Sequence, residues 1–168
     1  KKWVWEQYDH MGQTNTAVLP GQDRAVIRIK GKGKAIAFTS DGNGRYCYLN
    51  PYMGGIIAIA ESARNLVCCG AVPIGITDCL NFGTPEKPDI FWQFKNCIDG
   101  MCQACSVLDI PIVSGNVSFY NESFGNPIYP TPGSVAAGLI EKLDHIMTMD
   151  FKDNGFLIVL LGENKDRM

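Results

Sequence analysis

Apolar residues alternate with polar ones in several short stretches of the chain, and they recur at helical spacing in two longer ones. Ala25–Ile29 and Ala35–Thr39 alternate on either side of Gly31-Lys32-Gly33, a pattern that predicts a β-hairpin. Further strands are predicted at Pro73–Leu80, Ile110–Val113, Val135–Ile140 and Phe156–Leu161.

Two longer segments carry helix signals. Asn50 can cap free backbone N–H groups and Pro51 suits a first helical position, so a helix is predicted from Pro51 to about Cys69, ending at Gly70. A second helix is predicted from Pro88. Its apolar residues recur every three or four positions: Phe91, Phe94, Ile98, Met101, Cys102, Cys105 and Leu108.

The order of elements is hairpin, helix, strand, helix, strand, strand. This order predicts an α+β domain that has a mixed or antiparallel sheet with helices on one face. The core is then expected between the two helices and the apolar face of the sheet. The last apolar stretch, Phe156–Leu161, follows a long charged connection and has the character of the first strand of a second domain.

Composition narrows the function classes. The 168 residues are 46% hydrophobic and 19% charged, with a net charge of -2, so a dense basic surface for nucleic acid or anionic membranes is not expected. The seven cysteines are odd in number and lie mostly in apolar stretches, which favours reduced thiols. Neither a signal peptide nor an apolar run of membrane-spanning length is evident, so a soluble, cytoplasmic protein is predicted.

Polar residues gather where three predicted strands end, in segments 40–45, 77–83 and 114–118. They offer the carboxylates of Asp41 and Asp78, the amide of Asn116, several hydroxyls and glycine backbone. These are the components of a magnesium–phosphate site, because Mg²⁺ prefers a few oxygen ligands shared with substrate phosphates. The sequence has no Walker A motif, so a nucleotide site here is of another kind.

Each candidate has a simpler structural interpretation. Segment 41–44 is more often a turn, and Asp78 can be a strand-end cap. For Asn116 and Ser118, a ligand-binding role and a purely structural role are about equally supported. Cys102-Gln103-Ala104-Cys105 is a C-x-x-C pattern predicted in mid-helix on the apolar face, which favours core packing over metal or redox use. His10 and His145 lie in polar segments and are expected at the surface.

Four strings, in order, resemble the phosphoribosylformylglycinamidine synthase family, over roughly residues 8–163. They are DGNGRYCYLNPYMGG, ESARNLVCCGAVPIGITDCLNFGTPEKP, SGNVSFYNES and IYPTPG. The resemblance implies a fold like the N-terminal domain of aminoimidazole ribonucleotide synthetase. It also implies that residues 1–150 form the A-type ATP-binding domain of the second half of the synthase, and that residues 151–168 carry the first strand of a truncated B-type domain.

The resemblance implies an ATP-dependent C–N ligase of de novo purine biosynthesis. Such an enzyme converts formylglycinamide ribonucleotide to the amidine with ATP, Mg²⁺ and glutamine-derived ammonia, which attacks a phosphorylated amide. The implied partners are that substrate, the remaining synthetase domains and a glutaminase domain or subunit. A fragment of this extent is expected to be inactive alone.

The family's functional residues carry over to four positions in this sequence. Asp78 and Gly115 would contact ATP, with Gly115 allowing close phosphate approach; Asn116 would bind Mg²⁺ and Ser118 would contact the substrate. Asp41 lies where related synthetases place an acidic ligand and is a weaker candidate. The family's catalytic histidine belongs to a histidine-rich stretch of the first half, so no catalytic residue is expected in this chain.

A second hypothesis gives the chain a structural role. A-type domains of the family pair through their sheets to close a barrel, so the chain would pair with another such domain without binding ligand itself. A homodimer of the fragment is then expected. A third interpretation, a relative of aminoimidazole ribonucleotide synthetase itself, is disfavoured by the string NVSFYNE.

Overall fold

The computed structural model describes residues 2–162 and contains helices and strands in mixed order. The helices are α1 (Lys2–Trp5), α2 (Gly44–Leu49), α3 (Pro51–Val67) and α4 (Pro88–Leu108), with a 3₁₀ turn at Leu143–His145. The strands are β1 (Thr16–Val18), β2 (Ala25–Ile29), β3 (Lys34–Asp41), β4 (Val72–Asn81), β5 (Ile112–Ser118), β6 (Glu122–Ser123), β7 (Asn126–Pro127) and β8 (Thr131–Ile140).

Six of these strands form one mixed sheet in the order β1-β2-β3-β8-β4-β5. All neighbours are antiparallel except β4 and β5, which are parallel because α4 connects them as a crossover. Strands β6 and β7 form a separate two-stranded ribbon. The predicted α+β class with a mixed sheet is confirmed.

Local signals place the hairpin and the helix ends where they were predicted. Gly31 and Gly33 adopt φ of 75° and 64° between β2 and β3, a conformation that glycine tolerates best. The Asn50 side chain accepts a hydrogen bond from the backbone N–H of Met53 at 3.1 Å, so it caps α3. At the end of the helix, Gly70 adopts φ of 89°.

The core lies between α3, α4 and one face of the sheet. Its largest fully buried side chains include Ile59, Leu66, Phe82 and Met101. The two helices approach backbone to backbone, because a Cβ added at Gly100 would lie 2.9 Å from the Tyr52 carbonyl carbon. Small residues at this crossing therefore set the distance between α3 and α4.

The predicted apolar face of α4 needs a correction. Its buried side chains are Ile90, Cys97, Met101 and Ala104, with Gly100 at the helix crossing. Cys102, predicted on the apolar face, is exposed, while Cys105 is half-buried. Gly100 must face α3 for the close approach, and this requirement rotates Cys102 toward solvent.

The strand predicted at Phe156–Leu161 is wrong for the structure, because these residues form no strand and their side chains are exposed. A strand needs a hydrogen-bonded neighbour, and none lies beside this stretch in the part of the chain that the structure describes. The assignment of residues 151–168 to a second domain stays a prediction, and positions 163–168 lie outside the described residues.

The face of the sheet opposite the helices is apolar and open. Exposed side chains on this face include Ile27, Phe38, Ile74 and Val135. Two shallow cavities of about 540 and 330 Å³ share Phe38 and Val135 in their linings. Within residues 2–162, no helix has both the length and the apolar character needed to cross a bilayer.

Candidate functional site

The three polar segments predicted from sequence converge at one end of the sheet, although residues 114–118, predicted to follow a strand, form most of β5. Asp41 of β3 is opposite Ser134 of β8, Ser134 is opposite Asp78 of β4, and Asp78 is opposite Gly115 of β5. These four residues therefore form one row across four adjacent strands. The long-range pairing, and not proximity in sequence, brings Asp78 and Gly115 together.

The parallel pair β4–β5 divides the candidate residues between two faces. Successive side chains of a strand point to opposite faces, so Asp78 and Gly115 share the face that carries the buried Leu80. Asn116 and Ser118 lie on the other face. They are accompanied there by Thr77, Cys79, Asn81 and Ser114, and the Ser114 hydroxyl donates to Thr77 Oγ1 at 2.8 Å.

Strand β5 is an edge strand, and this makes both faces accessible. Asn116 and Gly115 are exposed, and Asp78 and Ser118 are half-buried. A ligand can reach both faces by passing around the free edge of β5. The four residues assigned from the resemblance therefore all lie on the adjacent strands β4 and β5, and each is at least partly accessible to solvent.

The Asp78 side chain lies directly over Gly115. A Cβ built on Gly115 would overlap the Asp78 carboxylate, with Oδ2 at 2.8 Å. Real Cβ atoms do not approach other atoms this closely, so any other residue at this position would force the Asp78 side chain to turn away. Gly115 was expected to let a phosphate approach the backbone closely. Glycine at this position also has a structural reason, because it leaves room for the Asp78 side chain.

Asp78 occupies a partly desolvated position. Burial raises the pKa of its carboxyl above the ordinary value, and a hydrogen bond from the Asn116 backbone N–H offsets only part of that shift. A nearby cation would favour the ionised form.

Asp41 has structural partners in place of a free ligand position. Its Oδ2 accepts a hydrogen bond from Thr39 Oγ1 at 2.7 Å, and its Oδ1 accepts one from Asn65 Nδ2 at 2.9 Å. Beside it, the hydroxyls of Ser62 and Ser134 are 2.7 Å apart in the core. These bonds tie α3 to β3 and β8, so Asp41 serves the fold at this end of the sheet.

The neighbouring segment, predicted as a strand end and turn, begins a short helix. Asn43 Oδ1 accepts hydrogen bonds from the backbone N–H groups of Arg45 at 3.0 Å and Tyr46 at 3.4 Å. Asn43 is therefore the N-cap of α2. The sequence signal was present in Asn43-Gly44, but α2 is too short for an apolar stripe to reveal it.

Two residues that sequence reasoning missed organise the end of the site. Asn121 Nδ2 donates to the backbone carbonyls of Ser118 at 2.8 Å and Phe82 at 3.0 Å. Glu122 accepts hydrogen bonds from the Thr84 N–H at 3.0 Å and from Lys87 Nζ at 2.9 Å. In the sequence they are only a pair of polar residues shortly after a predicted strand. Such pairs have many structural roles, so the sequence does not reveal this one.

Glu122 is held in its ionised form. The hydrogen bond from Lys87, followed by that from the Thr84 backbone, lowers the pKa of its carboxyl to about 2. A lowered folded-state pKa stabilises the fold above the ordinary value of 4.5, and that contribution is lost as the pH falls from about 4.5 to about 2.

Replacing Glu122 with glutamine should therefore lower the melting temperature of the chain near pH 7. The difference from the parent should shrink below about pH 4.5 as the parent's carboxylate takes up its proton. Thermal melts between pH 3 and 7 measure this. Glu141→Gln is the matched control, because the exposed Glu141–Lys34 pair is expected to contribute little at any pH. A parent–variant difference that does not change with pH would contradict the ionised role of Glu122.

The oxygen atoms of these side chains can bind Mg²⁺ only if a substrate supplies further oxygen ligands. Within residues 2–162, no group of three or more His, Cys, Asp or Glu side chains could hold a metal ion. Mg²⁺ commonly uses one or two protein oxygens together with phosphates and waters. The exposed amide of Asn116 meets that requirement by itself, because the Asp78 carboxylate, one residue away in register, lies on the opposite face of the β4–β5 pair.

Comparison with known proteins identifies the fold family. Residues 21–140 match the family model for the AIR synthase related protein, N-terminal domain. The chain belongs to the AIR synthase related N-terminal domain family. The expected likeness to the N-terminal domain of aminoimidazole ribonucleotide synthetase is thereby confirmed.

Among curated members of this family, the chain is 61% identical over 165 residues to phosphoribosylformylglycinamidine synthase subunit PurL of Thermoanaerobacter sp. strain X514. The alignment covers 98% of this chain but only 22% of the subunit. The chain thus spans about a fifth of the length of the curated relatives that it matches.

Solved structures of Thermotoga maritima proteins share the fold. The structure of PurLQS has a TM-score of 0.78 at 35% identity, covering 83% of this chain and 23% of that one. Structures of PurL complexed with ATP and with FGAR each have a TM-score of 0.74, at 33% and 34% identity and the same coverage of both chains. The resemblance to the synthase family is therefore confirmed by sequence and by fold.

Proposed function

We propose that this chain supplies part of the ATP–magnesium–substrate site of a phosphoribosylformylglycinamidine synthase. The observation that carries the proposal is the adjacency of Asp78, Gly115 and Asn116 in the parallel pair β4–β5. Relatives in this family are named for that synthase, and one related structure is complexed with ATP and another with FGAR.

Each residue has a role that its surroundings support. Asp78, with a raised pKa, and Gly115 below it contact the nucleotide. Asn116 contributes its amide oxygen to Mg²⁺ from the opposite face, and Ser118 contacts formylglycinamide ribonucleotide. The nucleotide phosphates and the substrate then meet at the free edge of β5.

The proposed reaction is the ATP-dependent formation of a C–N bond in purine biosynthesis. The γ-phosphoryl group of ATP is transferred to the amide oxygen of formylglycinamide ribonucleotide, which releases ADP. Glutamine-derived ammonia then attacks the amide carbon and displaces inorganic phosphate to give the amidine. Mg²⁺ neutralises phosphate charge when it is bound. This chain positions ligands and contributes no catalytic residue of its own, so it is inactive alone.

Residues 1–150 act as the A-type domain, and residues 151–168 begin a B-type domain. The other synthetase domains complete the site, and a glutaminase domain or subunit supplies ammonia. A cytoplasmic location follows from this pathway assignment and from the unpaired cysteines of the described chain.

A chimaera tests the proposed function. This chain replaces the 165 matched residues of the Thermoanaerobacter subunit, and turnover is measured with formylglycinamide ribonucleotide, MgATP and ammonium. The chimaera should keep turnover within about tenfold of the parent subunit, and the isolated chain should show none. A folded chimaera without turnover, or turnover by the isolated chain, would contradict the proposal.

The open face of the sheet favours a second candidate, a structural pairing domain. Ile27, Phe38, Ile74 and Val135 expose apolar surface that an isolated domain does not need. The isolated chain should then form a homodimer through this face. Sedimentation that shows a strict monomer of the isolated chain at high concentration would contradict this candidate.

A further inference from the structure

The turn that follows β5 is joined to the residues directly after β4 by three backbone hydrogen bonds. The backbone N–H of Phe82 donates to the Ser118 carbonyl at 3.0 Å, and that of Tyr120 donates to the Gly83 carbonyl at 3.1 Å. The Asn121 N–H donates to the Phe82 carbonyl at 3.1 Å. The two strand ends therefore continue their pairing beyond the sheet.

The Asn121 side chain lies at the centre of this set. Its Nδ2 contacts three acceptors: the carbonyls of Ser118 and Phe82, and the Ser118 hydroxyl at 3.2 Å. The Ser118 hydroxyl also lies 3.3 Å from Asn121 Oδ1. Thus one half-buried amide fixes both the backbone and the hydroxyl of Ser118.

The backbone around Asn121 is held in a conformation that it would not adopt freely. Tyr120 has φ of 61°, in the left-handed region that non-glycine residues seldom occupy. Its hydroxyl donates to Glu86 at 2.6 Å, and its N–H is bonded to Gly83. Strain of this kind persists only where the surrounding contacts determine it, and such places concentrate at functional sites.

We infer that Asn121 is a positioning residue that fixes the hydroxyl of Ser118 for the substrate. The inference rests on the proposed function, in which Ser118 contacts formylglycinamide ribonucleotide. Asn121 acts through Ser118 and does not itself need to touch the ligand. A misdirected hydroxyl weakens binding because its hydrogen bond to the substrate is lost or lengthened.

The test is a double-mutant cycle in the chimaera described above, with Ser118→Ala, Asn121→Asp and the double variant. Asn121→Asp keeps the size of the side chain but removes the Nδ2 donor and sets a carboxylate against two carbonyl oxygens. Asn126→Asp in the neighbouring ribbon is the matched control, since the Asn126 side chain is exposed and, within residues 2–162, reaches only the Phe124 carbonyl at 3.5 Å. The KM for each substrate, kcat and melting temperature are measured for all variants.

Ser118→Ala and Asn121→Asp should each raise the KM for formylglycinamide ribonucleotide at least fivefold and leave the KM for ATP within about twofold. The double variant should be no worse than the more affected single one, because both changes remove the same contact. Loss of the bonds to the Ser118 and Phe82 carbonyls lowers the melting temperature in either case, so a merely structural role for Asn121 would instead show as multiplicative effects on the KM.

The outcomes separate this inference from the proposed function. If Ser118→Ala raises the KM but Asn121→Asp does not, or if the two effects multiply, the positioning role is overturned and the proposed function stands. If Ser118→Ala leaves the KM unchanged, the substrate role of Ser118 falls and the positioning role falls with it.

Discussion

Replacing Gly100 with alanine is expected to destabilise this domain by about 1–3 kcal/mol, although alanine is the better helix former. In an exposed helix the same change gains about 1 kcal/mol. Here the added Cβ would lie 2.9 Å from the Tyr52 carbonyl carbon and 3.2 Å from the Ile56 nitrogen. These are backbone atoms, so α3 and α4 must separate and loosen the core around them. Urea denaturation of the chain measures the loss.

The control for Gly100→Ala is Ser106→Ala on the exposed side of the same helix. This substitution introduces alanine, with its higher helix propensity, at an exposed position away from α3. It should change the free energy of unfolding by less than about 0.5 kcal/mol. A Gly100→Ala chain as stable as the parent would show that the helices do not approach as closely as described.

The second large effect is expected on nucleotide binding. A Cβ at Gly115 would overlap the Asp78 carboxylate, so Gly115→Ala must turn the Asp78 side chain away from its position. If Asp78 contacts the nucleotide, MgATP affinity of the chimaera should fall at least tenfold, which corresponds to about 1.4 kcal/mol. Calorimetric titration measures the affinity. Because β5 is an exposed edge strand, stability should change far less.

Gly75→Ala is the matched control for this substitution. Gly75 belongs to β4, and a Cβ there would lie 3.5 Å from Val113 Cγ1, an ordinary contact distance. MgATP affinity should stay within about twofold of the parent. Equal losses in the two variants would mean that Gly115→Ala acts through general disturbance of the sheet and not through Asp78.

Much of the fold could be predicted because its signals are local. The period of two around Gly31 and Gly33 predicted the β2–β3 hairpin, and Asn50-Pro51 predicted the start of α3. The short β1 and α2 were missed because three to six residues carry no measurable period. The strand predicted at Phe156–Leu161 failed because an apolar run specifies a strand only where a neighbour can pair with it.

The site was predictable in residue types but not in arrangement. Asp78, Asn116 and Ser118 stood out as polar residues at the ends of apolar runs. Their division between two faces depends on the β4–β5 register, which is a long-range property. For the same reason the sequence could not show that Asp78 covers Gly115, or that Asn121 reaches back to Phe82.

The most direct test of the nucleotide–metal assignment is calorimetric titration of MgATP into the chimaera and its Asp78→Ala and Asn116→Ala variants. Each substitution should weaken binding at least tenfold. The Asn116→Ala loss should disappear when ATP is titrated without Mg²⁺, while the Asp78→Ala loss should persist. Unchanged isotherms in both variants would contradict the assignment and leave the strand ends with a structural role alone.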